Sequence, residues 1–109
     1  RSVLPDLDRI GRWGRARASA RLDPIAPNPA RRSCLARFAL PARQTVSLDV
    51  YDALGRRVRA LFAGTLEAGE HAAFWDRVDD AGAACPSGLY FVRLATGETV
   101  RSSRVLVID

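Results

Sequence analysis

From residue 33 onward the chain is a series of short runs in which apolar and polar residues alternate, punctuated by Gly, Pro and Asp. Successive side chains of a strand point to opposite faces, so each run predicts a strand with one face buried. Cys34 to Leu40 sets Ala36, Phe38 and Leu40 against Leu35 and Arg37, and Pro41 ends it. Thr45 to Tyr51 alternates most cleanly, with Val46, Leu48 and Val50 facing one way and Ser47, Asp49 and Tyr51 the other. Asp52-Ala53-Leu54-Gly55 reads as a hairpin turn in which Asp52 closes an Asx-turn and Gly55 supplies a positive φ. Arg57 to Phe62 is the returning strand, and Gly64 to Gly69 is a connection. Glu70 to Asp76 is a fourth strand and carries Phe74 and Trp75. Asp79-Asp80-Ala81-Gly82 is a tight turn, and Pro86-Ser87-Gly88 leads into Leu89 to Leu94, with Tyr90, Val92 and Leu94 on one face. Ala95-Thr96-Gly97-Glu98 then turns the chain into a last strand, Thr99 to Ile108.

Strands at this spacing, with no helical period between them, predict an all-β fold: a small antiparallel sandwich of six or seven strands. Apolar residues on both faces of several strands fit two sheets packed face to face. The expected core is Phe38, Val46, Leu48, Val50, Trp75, Tyr90, Val92 and Leu106, with Trp75 its largest member.

Residues 1–32 lack this alternation. Pro5, Pro24, Pro27 and Pro29 interrupt any regular element, and Gly11 and Gly14 disfavour a helix between Asp8 and Leu22. The expected organisation is an irregular Pro-containing linker or arm over 1–32, and one domain over 33–109. Charge follows the same division. The arm holds eight arginines against Asp6, Asp8 and Asp23, while residues 33–109 hold nine arginines against nine acids. The net charge of +5 therefore belongs to the arm. A balanced domain has no broad face for tracking phosphates, which argues against nucleic acid as a partner. No run of about 18 apolar residues occurs, so no membrane span is expected. The chain has no Met and stops directly after a strand, so it reads as a processed fragment or the tail of a larger protein. Trp13 is expected to pack on this domain or on one of the parent's upstream domains.

Catalysis needs a base, and His71 is the only imidazole. Glu70, its neighbour in the strand, points to the opposite face, and no nucleophile motif accompanies them. The expectation is a protein that is not an enzyme. Asp76, Asp79 and Asp80 resemble part of a calcium loop, but the spacing fits no twelve-residue loop and turn formation accounts for them better. Gly82 and Gly88 are isolated turn glycines, not a phosphate loop. No metal and no cofactor are expected. Cys34 and Cys85 match no metal spacing. They are either unrelated thiols or, in an exported domain, a disulfide that closes a loop of about 52 residues and stabilises by roughly 4 kcal/mol.

The succession resembles a known family. The residues that carry it are Ala26-Pro27-Asn28-Pro29, then Phe38-Ala39-Leu40-Pro41, then Val46 to Arg56 with its Tyr51-Asp52-x-x-Gly55-Arg56 core. Gly69-Glu70-His71 with Trp75-Asp76 follows, and Ser87-Gly88-Leu89-Tyr90-Phe91-Val92-Arg93-Leu94 completes it. Five pieces in this order are similar to the C-terminal (type A) sorting domain of the type IX secretion system. That family overlaps the immunoglobulin-like domain of the flagellar hook-capping protein. The resemblance runs from about Pro27 to Asp109 and implies an Ig-like sandwich. It departs at Ala30-Arg31-Arg32 and at both cysteines, so it lends the disulfide no support. Within it Asn28, Pro29, Tyr51, Asp52, Gly55, Arg56, Gly69, Trp75, Asp76, Ser87, Gly88 and Tyr90 are read mainly as makers of the fold.

The resemblance implies a non-catalytic module that directs a larger secreted protein through the periplasm to the cell surface. The implied partners are the outer-membrane secretion translocon and sortase-like processing machinery. Cleavage is expected in the linker 1–32, and docking at exposed loops and at the free edge of the last strand. The alternative is an Ig-like spacer or assembly domain of a surface filament, hook cap or multidomain extracellular protein. A third reading is an adaptor whose Arg-rich stretch 9–21 binds acidic polymers.

Overall fold

The computed structural model describes residues 19–109. Seven strands form two antiparallel sheets. The first sheet has the order β1-β2-β5, built from β1 (Arg21–Leu22), β2 (Cys34–Leu40) and β5 (Gly69–Trp75). The second has the order β4-β3-β6-β7, built from β4 (Arg57–Leu66), β3 (Gln44–Asp52), β6 (Gly88–Ala95) and β7 (Val100–Val107). The fold is an all-β, Ig-like sandwich, and the alternation of β2, β3 and β6 is what builds it. Phe38, Val46, Leu48, Val50, Trp75, Tyr90, Val92 and Leu94 all turn inward and are buried.

Leu106 does not. It is 42% exposed, whereas Val105 and Val107 on either side are buried. The run Val105-Leu106-Val107 fits either phase, and the β6–β7 register decides it. Val105 pairs with Tyr90 and Val107 with Gly88 on the inner face, which sends Leu106 outward opposite Leu89.

Strand β4 also differs from expectation. It runs on through Gly64 to Leu66, so the connection to β5 is only residues 67–68. Its register against β3 slips twice, between Leu48/Asp49 and between Val50/Tyr51. Each slip leaves an extra residue, Leu61 or Val58, and a bulge of this kind tightens the twist. Val58, Leu61 and Phe62 thereby all pack against the core, which no strict alternation would achieve.

Composition divides the chain at residue 32, whereas packing begins earlier. Ala20, Ile25 and Ala30 are buried in the same core, and β1 pairs with β2. Residues 26–30 then cross to the other sheet. The Ala30 N–H donates to the Leu106 carbonyl at 2.8 Å, and the Ile108 N–H donates to the Ala30 carbonyl at 2.9 Å. This short parallel bridge lies on the outer edge of β7. Ser19, Ala20 and Arg21 are the only part of the Arg-rich stretch 9–21 that the structure describes; Trp13 lies outside the described residues. Those residues contain no helix long and apolar enough to cross a membrane.

Trp75 is 2% exposed and joins the two sheets. Its ring meets Tyr90 edge-on at 5.2 Å, and its indole N–H donates to the Val78 carbonyl at 3.0 Å. Tyr90 is anchored in turn by its hydroxyl, which donates to the Pro86 carbonyl at 2.6 Å. Truncating such a residue costs about 3–5 kcal/mol, a large share of the roughly 5–15 kcal/mol that holds a small domain. Trp75→Ala is therefore expected to leave the domain marginal at 37 °C in thermal melts. A melting temperature within a few degrees of the parent would show that Trp75 does not carry the core.

Candidate functional site

The motif residues gather into two turns and one strap. Asp52 ends β3, and its Oδ1 accepts from the N–H groups of Leu54 at 2.9 Å and Arg56 at 3.0 Å. The Asp52 N–H donates to the Arg56 carbonyl, and the Gly55 N–H donates to the Asp52 carbonyl. The Arg56 Nε closes the ring on Oδ2 at 3.0 Å. Gly55 sits at φ +85°, a left-handed conformation that costs a residue with a Cβ about 1–2 kcal/mol. The Asp-x-x-Gly-Arg spacing is thus a closed hydrogen-bonded unit. Four of its N–H groups, those of Asp52, Leu54, Gly55 and Arg56, are paired within it.

The same unit recurs at Asp79. Its Oδ1 accepts from Ala81 and Ala83 at 2.9 Å each, its N–H donates to the Ala83 carbonyl, and Gly82 sits at φ +89°. Asp80 then docks this turn on the edge of β4, where its N–H donates to the Val58 carbonyl and its Oδ1 accepts from the Ala60 N–H. Asp76 pairs with Arg59 at 3.3 Å. The three aspartates that resemble part of a calcium loop are therefore separately engaged, and no cluster of metal-ligating side chains occurs among the described residues.

The strap is the Asn28-Pro29 segment. The Asn28 Oδ1 accepts from the Leu106 N–H at 2.9 Å, and the Asn28 Nδ2 donates to the Arg104 carbonyl at 3.2 Å. One side-chain amide takes the place of a neighbouring strand's peptide group. Together with Ala30 it covers the outer edge of β7 from Arg104 to Ile108. The expectation of a free edge along the last strand is corrected accordingly: among the described residues, that edge lacks a backbone partner only toward Val100 and Ser102. Sequence pattern misses this because the strap pairs through a side chain and has no alternation.

Arg77 is a further residue that sequence reasoning missed. It takes φ +63°, a conformation that is costly for a residue with a Cβ. Its Nε donates to the Cys85 carbonyl at 2.8 Å, one Nη to the Arg31 carbonyl at 2.8 Å, and the other to the Asp109 carboxylate at 2.6 Å. One guanidinium thus ties the strap, the loop before β6 and the chain's last residue together. Charge-assisted bonds of this kind offset the backbone strain.

Cys34 and Cys85 are free thiols, both buried, so the bridge expected for an exported domain is not formed here. Each is anchored separately. Cys34 faces inward on β2 opposite Trp75, while the Cys85 N–H donates to the Arg77 carbonyl. Burial pushes the Cys34 thiol up to about 11 and raises that of Cys85, where Asp79 adds to the effect. Both are held protonated at neutral pH, the inert form of a thiol. His71 stacks on Phe38 at 5.5 Å and lies 2.7 Å from the Glu67 carbonyl, while Glu70 turns outward to Arg21.

Comparison with known proteins places this geometry. The model of the FlgD Ig-like domain matches residues 36–100, from β2 to the start of β7. The chain belongs to the FlgD Ig-like domain family. Among solved structures it is similar to dimeric latent PorU of Porphyromonas gingivalis. Identity there is 20% with a TM-score of 0.68, over 83% of this chain and 9% of that one. It is also similar to PorZ of the same organism, described as an essential bacterial surface component of the type IX secretion system. That match has 22% identity and a TM-score of 0.49, over 81% of this chain and 11% of that one. The chain spans about a tenth of either protein. No curated protein matches it. In this chain the motif residues build the turns of the sandwich and seal its edge.

The Asp52 turn has a pH signature. Hydrogen bonding, first from the Arg56 N–H, holds the Asp52 carboxyl below the usual carboxylate range. A depressed carboxyl stabilises the fold above its unfolded value, and that stabilisation is lost as pH falls through the folded one. Asp49 acts in the opposite direction, because burial raises its carboxyl. Asp52→Asn removes only the first effect. Between neutral pH and pH 3, denaturant titrations of Asp52→Asn are expected to lose less stability than those of the parent. Parallel pH profiles would show that the Asp52 carboxylate does not hold the turn.

Proposed function

We propose that this chain is a non-catalytic sorting and anchoring module that directs a larger secreted protein across the outer membrane to the cell surface. The observation that carries the reading is the ordered series of motif pieces from Asn28 to Leu94, on a sandwich whose fold PorU shares. Residues 33–109 with the strap are the recognised body, and the Pro- and Arg-containing stretch before it is the accessible linker where processing occurs. The partners are the outer-membrane translocon and a sortase-like processing activity, and the module reaches them folded, in the periplasm. Buried thiols, turn-forming aspartates and a histidine stacked on Phe38 are consistent with an absence of chemistry of its own.

A second reading has its own support. The family match itself fits an Ig-like spacer or assembly domain of a surface filament or hook cap.

Fusion separates the two. The 109-residue chain, placed behind a periplasmic reporter with its own signal peptide, is expected to carry that reporter to the surface of a host with a type IX system. Removing residues 100–109 deletes β7 together with the groups that the strap and Arg77 hold, and is expected to trap the reporter in the periplasm. Gln in place of Arg9, Arg12, Arg15 and Arg17 is expected to leave display unchanged. A reporter that stays periplasmic behind the intact chain favours the spacer reading. Display lost with the arginines and kept without β7 favours an Arg-rich adaptor.

A further inference from the structure

Cross-strand partners share a face of a sheet, so the register defines what the four-stranded sheet shows to solvent. Its outer face pairs Leu89 with Leu106, Phe91 with Arg104, Arg93 with Ser102 and Ala95 with Val100. Strand β3 adds Asp49 opposite Arg93 and Tyr51 opposite Phe91. Among the described residues five large apolar side chains are exposed, and three of them, Leu89, Val100 and Leu106, lie on this one face. Val100 lies at the far end of β7, but Leu89 and Leu106 are direct cross-strand partners beside the half-buried Phe91. Isolated exposed apolar residues need no explanation, whereas such an adjacent group does.

Cations lie along one side of this group: Arg104 is the cross-strand partner of Phe91, Arg93 follows on β6, and Arg57 lies opposite Tyr51 on β4. Among the described residues the acids beside this group are both engaged: Asp49 is buried, 4.0 Å from Arg57, and Asp52 at the end of β3 is bonded to Arg56. The arrangement is held rigidly. Arg93 lies 4.4 Å over the Tyr51 ring and donates to its hydroxyl at 2.7 Å. The backbone of Arg104 and Leu106 is pinned from the other side by Asn28. Side chains ordered before binding lose less entropy on binding.

We propose that the outer face of β6 and β7 is a docking surface for an acidic peptide segment that carries apolar side chains. Charge complementarity selects this occupant. A second copy would bring Arg93 and Arg104 against their own kind, and the chain's Arg-rich residues 9–21 carry the same sign as the face. The surface serves equally in a sorting module and in a spacer, so it does not rest on the export reading.

The test uses the full 109-residue chain, isotope-labelled for amide spectra, and a short peptide of alternating Glu and Leu. The peptide is expected to shift the amides of Leu89, Phe91, Arg93, Arg104 and Leu106, and to bind more weakly as salt rises. Leu106→Asp and Arg104→Glu are each expected to weaken it about tenfold or more. Phe74→Asp, an exposed apolar site on the other sheet, is expected to leave it unchanged. Melting curves check that the variants fold, and Arg104→Glu carries the test if Leu106→Asp does not. Several outcomes overturn the proposal. They are no binding, equal binding of a Lys-Leu peptide, and shifts confined to other strands. Preferential retention on phosphatidylglycerol vesicles, or a dimer without peptide that Leu106→Asp dissolves, does the same.

Discussion

An edge strand presents a row of N–H and C=O groups that must find water, a partner or a cap. In this sandwich the outer edge of β7 is where the chain's distant parts meet. Asn28 and Ala30 supply donors and acceptors to Arg104, Leu106 and Ile108. Each such bond contributes about 0.5–1.5 kcal/mol net, but an unpaired buried group costs more than that. The strap therefore does two things. It closes most of an edge that would otherwise template pairing with another chain, and it draws Ile25 and Ala30 into the core from a segment with no strand pattern. Arg77 extends the same closure by binding the carbonyl of Arg31 and the carboxylate of Asp109.

The rest of the architecture divides the work between packing and turns. Leu48, Val50, Leu94 and Val105 are fully buried, and Trp75 links the sheets through Tyr90. These contacts supply the bulk of the stability, because burial scales with apolar area. The two Asp-x-x-Gly turns supply direction instead. In each, the aspartate carboxylate takes two backbone N–H groups of its own turn, which fixes the reversal at Asp52 and at Asp79. The stretch that matches the family, residues 36–100, contains the Asp52 turn and Trp75, while the strap lies before it.

Much of this was legible from residue types. The alternation from Val46 to Val50 and from Tyr90 to Leu94 defines the inner faces, and Gly55 marks its turn. What escaped reading has identifiable causes. Residues 20–30 pair through a two-residue strand, isolated bridges and one side chain, so they carry no periodicity. Gly64 looks like a breaker but sits inside β4 at φ +155°, paired with Val46, and two bulges there defeat the alternation. Val105-Leu106-Val107 is apolar in both phases, and only pairing with Tyr90 and Gly88 sends Leu106 outward. That last difference matters for function, since it leaves Leu106 on the surface beside Leu89 and Arg104. Arg77 gave no signal, because a positive φ and a three-way clamp depend on chain segments far apart in sequence.

The sealed edge thus keeps one face of β6 and β7 in a fixed arrangement. The most direct measurement of this is amide hydrogen exchange on the full chain and on Asn28→Ala. Closure by the strap predicts that the Leu106 and Ile108 amides exchange as slowly as those of β6 in the parent, while the outward amide of Ser102 exchanges fast. In Asn28→Ala the Leu106 amide is predicted to accelerate while β6 stays protected. Rapid exchange of Leu106 and Ile108 in the parent, or a Leu106 rate indifferent to Asn28, would contradict the account.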